Sequence, residues 1–68
     1  MDNWICVYTT NQRYRAEIVK NLLGEENIEA VILDKKDSSY TVFGEIEVFV
    51  PPEDQNFAEE LIKSANIE

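Results

Sequence analysis

Four cationic side chains, Arg13, Arg15, Lys35 and Lys36, fall in or beside two polar segments of a chain that otherwise carries mainly carboxylates. Guanidinium and ammonium groups held close together bind a phosphate or carboxylate through charge-assisted hydrogen bonds. Hydrogen-bonding side chains accompany them, Thr10 and Asn11 before the first pair and Ser38 and Ser39 after the second. If the two segments adjoin in the fold, Thr10, Asn11, Arg13, Arg15, Lys35, Lys36, Ser38 and Ser39 form a candidate corner for a small anionic ligand. The free N–H groups of a helix start would add to its pull. A plainer account competes with this one. Arg13 can pair with Glu17 one helical turn later, and Lys35 and Lys36 can solvate a hairpin between Asp34 and Asp37. Thr10 and Asn11 are then helix caps, and Ser38 and Ser39 turn residues. The only glycines, Gly24 and Gly44, are isolated, so there is no glycine-rich phosphate loop.

Catalytic chemistry finds less support. Histidine is absent, and Cys6 sits in an apolar stretch with no recognisable activating base, which reads as a structural thiol. Glu25-Glu26 and Glu59-Glu60 fall on helix exteriors, and Glu53-Asp54 complements a helix dipole. No spacing matches a calcium loop. The residues therefore assign no catalytic group, no metal and no cofactor, and the chain is expected not to be an enzyme.

The elements that must position these residues follow from periodicity. Trp4 to Thr9 is short, apolar and rich in β-formers, a first strand. Tyr14, Ile18, Val19, Leu22 and Leu23 recur at helical spacing, with Thr10 or Asn11 as N-cap. Gly24 could end this helix, but Asn27 is the better stop, because asparagine tolerates the left-handed conformation. Ile28 to Leu33 reads as a second strand, and Asp34 to Ser39 as a loop. A third strand runs from about Tyr40 to Val50, with Ile46, Val48 and Val50 opposite Glu45 and Glu47 and a kink at Gly44. Pro51 ends it, Pro52 suits a first helical turn, and Phe57, Ala58, Leu61, Ile62 and Ala65 make an apolar stripe on a second helix.

The 68 residues have room for one domain, 1–68, whose core is thin for its surface. Disulfides and metal are nearly excluded as supplements by a single cysteine and no histidine, so self-association gains weight. Fourteen acidic against six basic residues give a net charge of −8, which repels nucleic acid and anionic membranes at long range. The N-terminus shows neither a basic leader nor a long apolar run. A soluble, cytoplasmic protein is expected, with no nucleic-acid or membrane partner.

Strand, helix, strand, strand, helix is the beginning of an α+β ferredoxin-like plait. The first helix crosses between two parallel strands, the third strand inserts antiparallel between them, and both helices cover one face of a three-stranded sheet with the fourth strand missing. Strands one and two are apolar on both sides, so one sheet face is left open. Trp4, Cys6, Tyr8, Phe43 and Phe49 are its candidate interface residues, and the unpaired first-strand edge also invites a second copy. A homo-oligomer, a dimer, is expected. An unidentified protein partner is the rival occupant of the face.

The segments Val7-Tyr8-Thr9, Ala16 to Val19 with Leu22-Leu23, Ile28 to Val31, and Gly44 to Asp54 resemble the putative prokaryotic signal-transducing proteins, a family of unknown function grouped by fold with the PII nitrogen-regulatory proteins. The resemblance spans nearly the whole chain. It implies a GlnB-like fold and a regulatory or ligand-sensing role, and the matching residues are chiefly core and cap positions.

Overall fold

The computed structural model describes residues 3–34 and 46–65. Its elements are β1 (Ile5–Thr10), α1 (Arg13–Glu25), β2 (Val31–Asp34), β3 (Ile46–Val50), a 3-10 turn (Pro52–Asp54) and α2 (Gln55–Ala65). The three strands form one sheet in the order β1-β3-β2, with β3 antiparallel to both neighbours. This is the three-stranded, two-helix α+β arrangement expected of a ferredoxin-like plait. Residues 35–45, which include Lys35, Lys36, Ser38, Ser39, Phe43, the Gly44 kink and the start of the expected third strand, lie outside the described residues.

Strand β3 organises the core because its alternation is uninterrupted. Ile46, Val48 and Val50 are fully buried, whereas Glu47 and Phe49 on the opposite side are half-buried. Helix α1 meets the first side with Ala16, Val19 and Leu23, and α2 meets it with Ala58. Each large side chain in this cluster contributes about 1.5–3 kcal/mol of transfer free energy. The core phase of α1 corrects the expected stripe. Tyr14 and Ile18 are 57% and 46% exposed, and it is Ala16 that reaches full burial. A methyl side chain lets the helix approach the sheet closely, so α1 is rotated to place Ala16 inward and the two larger residues outward. Phe57 of α2 likewise stays 48% exposed.

The C-terminal end of α1 follows from Asn27, which adopts a left-handed φ of 65°. Its N–H donates to the Gly24 carbonyl and the Ile28 N–H to the Leu23 carbonyl, each at 3.0 Å. Leu23 and Ile28 are both buried, completing a Schellman closure with its hydrophobic contact. Ile28 is thereby committed to the helix end, and the second strand begins at Val31 rather than Ile28.

The N-terminal end differs from expectation. The N-cap is Gln12, whose side chain makes no capping bond, in place of Thr10 or Asn11. Thr10, nearly buried, has its hydroxyl oxygen 3.1 Å from the Gln12 N–H, which donates to it. That contact shapes the turn ahead of the helix.

Candidate functional site

Among the described residues, the start of α1 meets the end of β2. Arg13, the first residue of α1, donates from Nη1 to Asp34 Oδ2 at the end of β2 and from Nε to Glu17 Oε2, both at 3.2 Å. The guanidinium therefore spans two carboxylates, one local and one 21 residues away. The Arg13–Glu17 pair is exposed, whereas Asp34 is half-buried with 27% of its side chain accessible. The positive charge of Arg13 is already matched, which weakens the corner as an anion trap. Asn11 is exposed in the same turn, and Thr10 is engaged with Gln12 as described.

Arg15 is held differently. Its Nε donates to Gln12 Oε1 at 2.7 Å, and its guanidinium carbon lies 5.7 Å from the centre of the Tyr14 ring. Tyr14 and then Tyr8 raise its pKa further above the ordinary guanidinium value through their hydroxyls. Tyr8, Gln12, Tyr14 and Arg15 thus gather where β1 feeds into α1. Separate counts of charge and hydrophobicity do not reveal this grouping. Tyr14 immediately before Arg15, with Tyr8 seven residues ahead of it, is the signal the sequence offers.

The open side of the sheet is set by register. Cys6 pairs with Phe49 and Val31 pairs with Phe49 from the other strand, so Cys6, Phe49 and Val31 form one row across the three strands. The next row on that side is Thr9, Glu47 and Leu33, with Leu33 44% exposed. Both helices lie against the opposite side. A bulge between Cys6 and Tyr8 shifts the register, so Tyr8 pairs with Val48 and packs on the helix-side core together with Val7. Tyr8 thereby parts from Cys6 and Phe49, with which strict alternation had grouped it. Trp4, just ahead of β1, is half-buried. The Cys6 thiol contacts the Tyr8 carbonyl and the Thr9 hydroxyl, each at 3.5 Å.

Among the described residues, no group of three or more Cys, Asp or Glu side chains is placed to hold a metal ion. No described helix is long and apolar enough to cross a membrane.

A family model described as putative prokaryotic signal transducing protein matches residues 4–66. The chain belongs to this family. The match takes in every described element of the chain. No curated protein and no solved structure matches the chain.

Proposed function

We propose that this chain is a small regulatory module without a catalytic step, acting through the open face of its sheet, which a second copy covers. The observation that carries this reading is the apolar row Cys6, Phe49 and Val31, which crosses all three strands on the side away from the helices. Leu33 extends the apolar surface beside it. Apolar area of this kind, half-buried at Cys6, Phe49 and Val31, exposed at Leu33 and without a layer over it among the described residues, is the usual mark of an interaction surface. Face-to-face contact is favoured over strand addition, because a bulged β1 makes a poor template for edge pairing. A lone free cysteine suits a reducing cytoplasm.

Two copies each carrying −8 repel one another, so this association tightens as salt is added. Sedimentation equilibrium over a range of concentrations and ionic strengths tests it. The expected result is a doubling of mass that rises with salt and is lost in Phe49→Lys, with the amide spectrum showing that the variant still folds. A monomer at every salt, up to about 1 mM protein, would overturn the reading.

The alternative is a small-anion sensor at the Arg13 corner. It has in its favour that β1–α1 and the end of β2 adjoin, and against it the two carboxylates on Arg13. Phosphate titration followed at the Arg13 and Arg15 side chains decides it, since saturable shifts at both would restore this reading.

A further inference from the structure

The helix layer carries a second apolar surface, independent of the sheet face. At 100° per residue, Tyr14 and Ile18 lie roughly 170° and 130° around α1 from the mean direction of Ala16, Val19 and Leu23, so they project away from the sheet. Their exposure, 57% and 46%, agrees. Half-buried Leu22 continues the line at i+4 from Ile18.

The two flanks of α1 can be told apart. Arg13 reaches Asp34 of β2 from one flank. Arg15 interacts with Tyr8 of β1 from the other, and Leu22 shares that second flank. Helix α2 packs on β1 and on α1, so the Ile18 and Leu22 line looks toward α2. On α2, Phe57 adds a ring that is 48% exposed. The helix layer therefore presents an apolar track made by Tyr14, Ile18, Leu22 and Phe57.

Charge says what could lie on it. The pairings Val31 with Phe49 and Ile5 with Val50 put the starts of β1 and β2 and the end of β3 at one end of the sheet. Helix α1 ends and α2 begins at that end, bringing Glu25, Glu26, Glu53 and Asp54 there with no Lys or Arg among residues 21–34 or 51–60. An apolar track running into a carboxylate-rich end is complementary to an amphipathic segment with apolar residues along one side and Lys or Arg beside them. A helix fits a track between two helices better than a strand does. A second copy, at −8, is the wrong sign.

We infer that the outer side of the helix layer is a docking surface for a basic amphipathic helix of a different protein, recognised by Tyr14, Ile18, Leu22 and Phe57 together with the carboxylates at the α1/α2 end.

The test titrates the isotope-labelled full chain with a synthetic Leu/Lys amphipathic peptide of about five helical turns, and with its Leu/Glu counterpart. Saturable amide shifts at Tyr14, Ile18, Leu22 and Phe57 with the Lys peptide alone are expected, with affinity falling as salt rises. The double variant Ile18→Asp, Phe57→Asp alters exposed positions, and its amide spectrum checks the fold. It should weaken binding by about tenfold or more. Shifts centred on Cys6, Val31 and Phe49, equal affinity of variant and parent, or no saturable shift would each overturn the inference. The opposite salt dependence of self-association separates its failure from that of the sheet-face reading.

Discussion

The two sides of β3 belong to the same five residues yet live in different environments. Ile46, Val48 and Val50 are reduced to zero accessibility beneath two helices, while Glu47 and Phe49 on the reverse keep part of their surface in contact with solvent. The helix side is closed by small and branched residues that interdigitate, Ala16, Val19 and Ala58 among them. The reverse side has an equally apolar row, Cys6, Phe49 and Val31, without a layer over it among the described residues. Apolar character alone therefore did not decide what was buried. Close approach did, and the helices approach only one side.

The largest effect that sharpens this contrast is Leu23→Ala, which empties a fully buried position and removes the contact closing α1. It should cost about 3 kcal/mol in a denaturant melt. Leu33→Ala on the reverse side should cost well under half as much, since that side chain is 44% exposed. Equal costs for the two would break the contrast and show that the reverse side is covered. Next comes Asn27→Ala, expected to lose about 1 kcal/mol because alanine resists φ of 65°, whereas Asn27→Gly should hold or raise stability. Gly24→Ala should gain about 0.5–1 kcal/mol, because an added Cβ meets nothing within 4 Å in a helical turn. The smallest effect belongs to Arg13→Gln. Its ion pairs should be worth about 0.5 kcal/mol in low salt and less in high salt, and a larger, salt-independent loss would mark the corner as a structural anchor.

Much of this architecture could be read from the residues, and the misses have physical causes. The order of elements, the alternation of Ile46, Val48 and Val50, and the stop at Asn27 are local signals, and they appear in the structure as expected. The Arg13–Glu17 pair follows from i,i+4 spacing, but its second partner, Asp34, depends on where β2 ends in space. The phase of α1 departs from the apolar stripe because Tyr14 and Ile18 are large and apolar, and a short chain lacks the volume to bury every such residue. Tyr8 was grouped with Cys6 because alternation holds only while the strand is regular, and the bulge inserts one residue between them. Of the candidate corner, Lys35, Lys36, Ser38 and Ser39 fall outside the described residues, as does Phe43 of the candidate interface.

The Schellman closure has a kinetic consequence. Its bonds link residues only three to five apart, Leu23 to Ile28, whereas pairing Ile5 with Val50 must close a loop through most of the chain. Short loops form with little entropic penalty and long ones form late. The α1 segment and its turn are thus the natural starting point of folding, presenting Leu23 and Ile28 as a ready-made apolar seat on which β3 condenses. Pulse-labelled hydrogen exchange would register this as early protection at Asn27 and Ile28, ahead of Tyr8 and Val48.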